Sequence, residues 1–466
     1  MAAGLGARAA PPPNYAARRA RLQAACGDAA IIVPGRNFAG QIGETQLKQD
    51  PNFWYLTGVE SPFAILVMTP RRTALFLPDE FQFASGQYPT QDEGFRRARW
   101  NRPMGRLFPG PAAREATGIA DLHRLDDFAK KLPELVEGFA VVYLPRDGYR
   151  QYAPPGLAAP ASTAEQIADA IAARLPDKRI ENVLPKLAKM RLIKDEMEIR
   201  ALRRAAEISG VGMIEAMRAI RPGVTDRTIA GVMEQAWKRE GSPRASFAPV
   251  VNSGEDAMHF FPLLSERYDV NRTMRAGEMV FIDYGAAEFA MYTSDICRTF
   301  PVTGRFTPEQ RKYYEIVLEA QETAIAAMRP GVMMIDVIRK AAEVFRRHDL
   351  EQYENVARMG EDKVWGMMPS PTHYLARGLG LVPYNPVGRG VRDLGHHIGL
   401  EVQDSRDYSE PLKPGMVMTI EPKMYIPEKN IAIMIEDMIL ITPTGAENLA
   451  SGTPKKVADI ERAMRR

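Results

Sequence analysis

The sequence predicts an α/β (α+β) protein with two domains, and three observations lead to that prediction. A chain of 466 residues is longer than one ordinary hydrophobic core accommodates. Short apolar runs bounded by turn residues alternate with segments of helical periodicity, which is typical of mixed folds. The sequence Arg-Pro-Gly-Val occurs at 221–224 and again at 329–332, each time between two predicted helices, and this indicates an internal duplication.

The first domain is predicted to span residues 15–160, after a leader of residues 1–14 that we expect to be disordered. The N-terminal stretch has no acid before Asp28, as in a transit peptide, but serine is absent and three prolines interrupt it. A helix is expected over AARRARLQAA. Buried strands are expected over 30–34 (AIIVP), 64–68 (AILVM), 73–77 (TALFL) and 140–144 (AVVYL).

A segment rich in proline, alanine and glycine, APPGLAAPAST at 153–163, indicates the end of this domain. Ser162 or Thr163 is placed to cap a helix over AEQIADAIAARL. We therefore expect residues 161–190 to form a connecting helix and linker, and residues 191–466 to form the second domain.

The second domain is predicted to contain two helical pairs, each followed by strands. A long amphipathic helix over 194–220 ends at the first Arg-Pro-Gly-Val, and a second helix follows. The next pair begins at a capping box of Thr307 and Gln310, with Pro308 in the first turn. The two turns lie 108 residues apart, and their matching flanks favour duplication over two unrelated helix breaks.

Composition excludes several kinds of partner. A net charge of +3 is small for this length and predicts no nucleic-acid partner. No apolar run reaches ~18 residues, so no membrane span is expected. Two cysteines, Cys26 and Cys297, cannot form a disulfide framework, which predicts a reducing compartment and a cytoplasmic protein.

Acidic residues lie inside predicted apolar strands at 279–285, 417–426 and 431–442. A buried carboxylate is costly unless it is paired or binds a metal. Several such acids and a histidine in one domain favour a metal site over isolated salt bridges, and the predicted ligands are Asp283, Asp295, His396, Glu421 and Glu436. This oxygen-rich set suits two divalent cations such as Mn²⁺. Two such cations ~4 Å apart can hold a hydroxide and clamp a carbonyl during hydrolysis.

Strand geometry predicts the neighbours of these ligands. Residues two apart share a face of a strand, so Met434 is expected beside Glu436, and Cys297 beside Asp295. In the same way, the two adjacent histidines of LGHHIGLEV would point to opposite faces. Only one is expected to bind metal, and His397 is expected to be a buried partner on the far side.

The order of motifs resembles that of the pita-bread metallopeptidases (aminopeptidase P, prolidase and methionine aminopeptidase), and the likeness to aminopeptidase P covers nearly the whole chain. It begins with QDPNFWYLTGVESPFAILV (49–67) and continues through LAKMRLIKDEMEIRALRRAAEI (187–208) and VNSGEDAMHFF (251–261). The motifs that follow in family order are FIDYG, SDICRTFPVTGRF, GHHIGLEV, PGMVMTIEPKMYI and IEDMILITPTGAENL.

The resemblance implies a creatinase-like α/β domain, then a pita-bread catalytic domain with a pseudo-twofold duplication. It implies an Xaa-Pro aminopeptidase that uses two metal ions, Mn²⁺ being expected, and a metal-bridged hydroxide. All five ligands carry over, with Asp283 and Glu436 bridging or chelating the ions and Glu421 also shuttling a proton. His259 would hydrogen-bond the peptide, whose second residue is proline. A homo-oligomer, dimer or tetramer, is implied, and Trp100 resembles a tryptophan that reaches the neighbouring subunit's site.

Several positions depart from the family pattern. Arg392 and Gln403 replace histidines, and Met434 replaces an arginine. Gln403 can donate a hydrogen bond to a developing oxyanion but cannot carry a proton, so we expect slow or specialised turnover. The two ligand aspartates are twelve residues apart instead of eleven, and the stretch 356–390 is longer than the family norm. That stretch is a lid, a subunit contact or an inert loop.

Two other functions stay open. One is related chemistry on the same scaffold: a prolidase-like Xaa-Pro dipeptidase, or a creatinase-like hydrolase, although creatinase lacks the metal set. The other is a weakly active or non-enzymatic peptide-binding protein. The three replacements favour that reading, and the intact set of five ligands opposes it.

Overall fold

A computed structural model describes residues 14–36, 48–78, 108–146, 161–258, 271–350, 394–404 and 410–465. The chain divides into two compact units, Met1–Met190 and Arg191–Arg466. Predicted features that lie outside the described residues are the leader up to residue 13, Trp100, His259, Arg392 and the stretch 356–390. Within the described residues, no helix is both long enough and apolar enough to cross a membrane.

The first unit is built on a six-stranded mixed sheet. Its strands are β1 (Ala30–Pro34), β2 (Ile65–Thr69), β3 (Arg72–Leu77), β4 (Asp121–Arg124), β5 (Val141–Leu144) and β6 (Arg179–Asn182). Its helices are α1 (Tyr15–Cys26), α2 (Pro51–Thr57), α3 (Pro111–Thr117), α4 (Phe128–Val136) and α5 (Thr163–Ala172), and α6 (Leu184–Leu192) follows β6. The strand order is β4-β3-β2-β1-β5-β6, with β2 antiparallel to both of its neighbours.

All four predicted strands of this unit are present, with ends that differ by at most one residue. The segment 161–190, for which we predicted a connecting helix and linker, contains α5, β6 and most of α6. Ser162 caps α5 as expected, by accepting a hydrogen bond from the amide of Glu165. Ile171 and Leu175 then join the hydrophobic core of the sheet, and β6 pairs in parallel with β5 as its edge strand.

The described residues of the second unit form two helical pairs and four small antiparallel sheets. Its helices are α7 (Glu196–Ala219), α8 (Asp226–Arg239), α9 (Pro308–Ala327), α10 (Met334–Arg347) and α11 (Val457–Ala463). Its strands are β7 (Val251–Ser253), β8 (Met279–Asp283), β9 (Glu288–Phe289), β10 (Tyr292–Thr293), β11 (Cys297–Pro301), β12 (Val417–Ile420), β13 (Lys423–Ile426), β14 (Ile431–Met434), β15 (Asp437–Ile441) and β16 (Ala446–Asn448). The described sheets are β11-β8-β7, β12-β15-β16, β9-β10 and β13-β14.

The two Arg-Pro-Gly-Val turns make the same hydrogen bonds, which agrees with the predicted duplication. In each copy the amide of the glycine donates to the carbonyl of a residue that lies shortly before the next sheet. The amide of that same residue donates to the carbonyl of the valine. In the first copy Gly223 and Val224 form these bonds with Met274, and in the second copy Gly331 and Val332 form them with Leu412. Met274 and Leu412 lie 138 residues apart, and so do Asp283 and Glu421. These two acids therefore occupy equivalent positions at the carboxyl ends of β8 and β12.

The strands predicted over 417–426 and 431–442 are each broken in two. β12 pairs with β15 while β13 pairs with β14, so the chain changes sheets at both breaks. Pro422 has no amide hydrogen to continue a ladder. At the second break, the amide of Glu436 donates to the carbonyl of Cys297 at 3.0 Å. Each break places a glutamate, Glu421 or Glu436, between two sheets.

Candidate metal centre

Asp283 and Asp295 are brought together by the connection between β8 and β11. Asp283 ends β8 and lies opposite Cys297 of β11. Asp295 lies just before β11, where the amide of Gly285 donates to the carbonyl of Ile296 at 2.9 Å. A Cβ atom at Gly285 would lie 2.4 Å from that carbonyl oxygen, so a glycine is needed for this close approach.

His396 is held against β12 by backbone contacts. Its amide donates to Oγ1 of Thr419 at 3.0 Å, and its carbonyl accepts from the amide of Thr419 at 2.8 Å. The imidazole Nε2 lies 3.3 Å from Oδ2 of Asp295 and 3.8 Å from Oε1 of Glu421. His397 is also buried and forms an isolated bridge with β12. His396 therefore contacts the acids, while its neighbour makes a separate backbone contact.

The two glutamates complete the cluster from the strand breaks. The amide of Glu421 donates to the carbonyl of Leu394 at 2.8 Å, which fixes the backbone at this break. Glu436 is 1% exposed, and one ligand atom each from Asp295, His396 and Glu436 lie within 4.8 Å of one another. Because Glu421 also lies beside His396, both glutamates at the strand breaks belong to the same buried cluster.

The acids repel one another strongly because water is excluded. Burial, and then the charges of neighbouring acids, raise the pKa of Asp283 and of Glu436 well above the usual range. Burial also raises the pKa of Asp295, although His396 opposes the shift. For His396, burial alone would lower the pKa, but the hydrogen bond and charge of Asp295 raise it. Cations placed among these carboxylates would remove the repulsion.

The unpaired oxygens of the acids match the requirements of metal ions. Oδ1 of Asp283, Oδ1 of Asp295 and both carboxylate oxygens of Glu436 are buried, and none has a hydrogen-bond partner among the described residues. Buried polar atoms are normally paired. Convergent, unpaired carboxylate oxygens with one imidazole therefore fit divalent cations, and such ligands accept Mn²⁺, Co²⁺, Fe²⁺ or Zn²⁺.

An apolar cluster lies beside the acids at the position where the resemblance implies an arginine. Met434 is 1% exposed and packs in this cluster with Phe281 and Cys297. The thiol of Cys297 lies 3.8 Å from the carbonyl of Met434. Burial, and then the charge of Asp283, raise the pKa of the Cys297 thiol well above its usual value, so the thiol is neutral.

Lys423 is a cation beside the acids that was not predicted from the sequence. Its Nζ donates to Oε2 of Glu421 at 3.1 Å, and its side chain is 16% exposed. The motif MTIEPKMY contained the signal, because a lysine two residues after a ligand glutamate lies on the same side of an extended chain. Because Pro422 lies between them, the sequence alone does not show that the chain stays extended from Glu421 to Lys423.

Two buried arginines anchor the backbone of the site. Arg298 donates to the carbonyl of Glu436 at 2.6 Å and to Asp437 at 2.6 Å, and its side chain is fully buried. Arg191 forms an ion pair with Asp404, which also pairs with Nζ of Lys194 at 3.0 Å. These contacts explain how the candidate ligands are held in place by strand breaks and an irregular segment.

Gln403 lies next to this second anchor. Its side chain is exposed, and the described residues do not place it in the buried cluster. Asp404, the next residue, is buried and accepts the two cations of the anchor. The backbone beside Gln403 is therefore fixed, and its side chain is exposed. His259, the other predicted substrate contact, lies outside the described residues.

Comparison with known families agrees with the order of the two units. Residues 200–443 match metallopeptidase family M24, and residues 15–143 match the aminopeptidase P N-terminal domain. The Xaa-Pro aminopeptidase of Escherichia coli (strain K12) is 31% identical over 450 residues, which cover 90% of each chain. The Xaa-Pro aminopeptidase of Haemophilus influenzae is 29% identical over 431 residues, covering 90% of this chain and 88% of that protein.

Solved structures show the same fold. Zinc-substituted aminopeptidase P of Escherichia coli, in complex with product, superposes with a TM-score of 0.74 at 27% identity and covers 97% of this chain and 98% of its own. The aminopeptidase PepP of Pseudomonas aeruginosa gives a TM-score of 0.76 at 25% identity and covers 98% of both chains. The predicted combination of an N-terminal α/β domain and a C-terminal pita-bread domain is confirmed.

Proposed function

The chain belongs to metallopeptidase family M24 and carries an N-terminal domain of the aminopeptidase P type, and on this premise we propose that it hydrolyses the first peptide bond of substrates with proline in second position. The observation that supports this most directly is the buried cluster of four acids and one imidazole inside the M24 region, in which three of the acids have unpaired oxygens. Its relatives that carry the name Xaa-Pro aminopeptidase align over about nine tenths of the chain.

Two divalent cations, with Mn²⁺ expected, are proposed to bind Asp283, Asp295, His396, Glu421 and Glu436. Four carboxylates carry four negative charges, which two divalent cations balance. When bound, the ions supply Lewis-acid activation of water and of the substrate carbonyl. The buried arginine anchors keep the ligand backbone fixed, so little reorganisation is needed when the ions bind.

Individual side chains are proposed to bind the peptide and move the proton. Glu421 accepts a proton from the attacking water and passes it to the leaving nitrogen, which becomes the amine of proline. His259 is proposed from the resemblance to hydrogen-bond the peptide, and Gln403 to donate a hydrogen bond to the oxyanion. Because Gln403 cannot carry a proton, this enzyme is expected to be slower than a relative with a histidine at that position.

The setting of the enzyme is also a proposal. Cys26 and Cys297 are free thiols, which is compatible with a reducing compartment, and we place the protein in the cytoplasm. A homo-oligomer is expected from the family resemblance. No nucleic-acid partner is expected, because the net charge is only +3.

A peptide panel tests the proposed activity. The purified chain, with Mn²⁺ or with a chelator, is given Xaa-Pro-Xaa tripeptides, Xaa-Pro dipeptides and tripeptides without proline. We expect metal-dependent release of the first residue from Xaa-Pro-Xaa, and a loss of about 10²–10⁴ in kcat for Glu421→Gln. Release from dipeptides alone would indicate a prolidase. Mn²⁺ binding without cleavage of any peptide would favour a peptide-binding protein.

A further inference from the structure

Lys423 faces the candidate metal centre from the hairpin of β13 and β14. In that hairpin it lies directly opposite Met434. Directly opposite residues of an antiparallel pair have their side chains on one face, with Cβ atoms about 5 Å apart. The ammonium group is close to the ligands, since Nζ lies 3.1 Å from Oε2 of Glu421. Lys423 and Met434 therefore occupy one local environment, although they lie eleven positions apart in the sequence.

The charge of Lys423 reaches more than one acid of the cluster. Burial is the largest influence on the pKa of Asp283 and of Glu436 and raises both, and the charge of Lys423 acts in the opposite direction on each. Glu421 is polarised by its two neighbours. Oε2 accepts from the ammonium group, while Oε1 lies 3.8 Å from Nε2 of His396. Oε2 is thus held by Lys423, and Oε1 is directed toward His396.

We propose that Lys423 is a positioning residue of the metal centre, which supplies from β13 the positive charge that Met434 does not supply from β14 and orients the carboxylate of Glu421. The cation implied at position 434 by the family resemblance has moved to the opposite strand of the same hairpin. The proposal rests on the proposed function only where it concerns turnover. The effect of Lys423 on metal binding can be measured whether or not any peptide is cleaved.

The charge and the orientation have opposite consequences when the lysine is removed. A cation beside the ligands repels a divalent ion, so its loss strengthens metal binding. Its loss also releases Glu421 from a fixed orientation, which slows proton transfer. Tighter metal binding together with slower turnover is therefore the signature of the proposed role. A lysine that only stabilised the fold would, when removed, weaken both.

Four variants of the full chain test this: Lys423→Met, Lys423→Arg, the double variant Lys423→Met/Met434→Arg, and the control Lys429→Met. Lys429 suits the control because it follows β13 in the same hairpin and pairs with Glu309 on the surface. Each metal-free chain is titrated with Mn²⁺ by calorimetry, and kcat and KM are measured on an Xaa-Pro-Xaa tripeptide. For Lys423→Met we expect a Kd for Mn²⁺ at least about tenfold lower and a kcat about 10–100-fold lower.

The remaining variants discriminate between charge and packing. Lys423→Arg and the control Lys429→Met should keep the Kd for Mn²⁺ and the kcat close to those of the natural chain. In the Lys423→Met background, Met434→Arg should restore both the Kd and the kcat. Unchanged or weaker Mn²⁺ binding by Lys423→Met, or failure of the double variant to restore it, overturns the proposal. Lys423→Gln is subject to the same criteria if Lys423→Met does not fold. Absence of peptide cleavage by every chain would refute the proposed function, and the Mn²⁺ titrations would still decide the role of Lys423.

Discussion

At the scale of single residues, the candidate centre separates into candidate ligands that the sequence predicts and neighbours that it does not. An acid inside an apolar strand is costly enough that the sequence alone predicts Asp283 as a candidate ligand. Lys423 is harder to identify, since its spacing from Glu421 predicts a shared side only if the chain stays extended, and a lysine between Pro422 and Met424 is also compatible with an exposed turn. Its contact with Glu421 and its register opposite Met434 depend on how β13 and β14 pair. Register between strands is not readable from one strand alone.

Gln403 offers a prediction at this scale. Its side chain is exposed and its backbone is fixed by the buried Asp404, so Gln403→His should change stability by less than about 0.5 kcal/mol. Histidine adds a donor that can also carry a proton, and we expect kcat on Xaa-Pro-Xaa tripeptides to rise about tenfold or more. The gain should depend on pH around ~6.5, where histidine titrates. Gln403→Asn is the matched control, and an unchanged kcat for the histidine variant would contradict the expectation.

At the scale of elements, the sequence predicts what local chemistry determines. The capping box of Thr307 and Gln310 is present as predicted, because both of its hydrogen bonds lie within four residues. The strand breaks at Pro422 and before Asp437 were missed, since the apolar pattern continues through them. The second break depends on the bond from the Glu436 amide to Cys297, which lies 139 residues earlier in the sequence. Contacts of that range determine the centre, and local pattern does not contain them.

The segment that carries His396 depends on its buried anchor, which gives a prediction for pH. Burial alone would raise the pKa of Asp404, but the charges of Arg191 and Lys194 hold it at about 2. A folded pKa below the unfolded value of ~3.9 means stability that is fully present above pH ~4 and is lost as pH falls toward 2. The pKa difference corresponds to about 2–3 kcal/mol of unfolding free energy.

Urea unfolding of the natural chain and of Asp404→Asn, at pH 6 and at pH 2.5, measures this contribution. At pH 6 the variant should be less stable by about 3–5 kcal/mol, because Arg191 and Lys194 stay buried without their carboxylate. At pH 2.5 that difference should narrow by about 2 kcal/mol. Glu401→Gln removes an exposed partner of Arg191 and should cost less than about 1 kcal/mol. An equal difference in unfolding free energy at both pH values would show that protonation of Asp404 does not cause the loss of stability at low pH.

At the scale of the whole molecule, the division into two units and the location of the ligands predict how metal affects stability. All five candidate ligands lie between Asp283 and Glu436, inside the second unit. An ion that binds only the folded site stabilises by RT ln(1 + [L]/Kd), or about 2.7 kcal/mol at a hundredfold excess over Kd. That free energy enters only the transition in which the site is lost. The unfolding of the first unit should therefore be independent of metal if the two units unfold separately.

Differential scanning calorimetry of the full chain, metal-free and with increasing Mn²⁺, tests this. We expect one transition to move upward steadily with the Mn²⁺ concentration while the other stays in place. Glu436→Gln should abolish the movement, because it removes a buried ligand charge, and the surface variant Lys429→Met should preserve it. Movement of both transitions would mean that the two units unfold together. If neither transition moved, the acids would not bind metal in the folded chain, and their unpaired oxygens would need another cation.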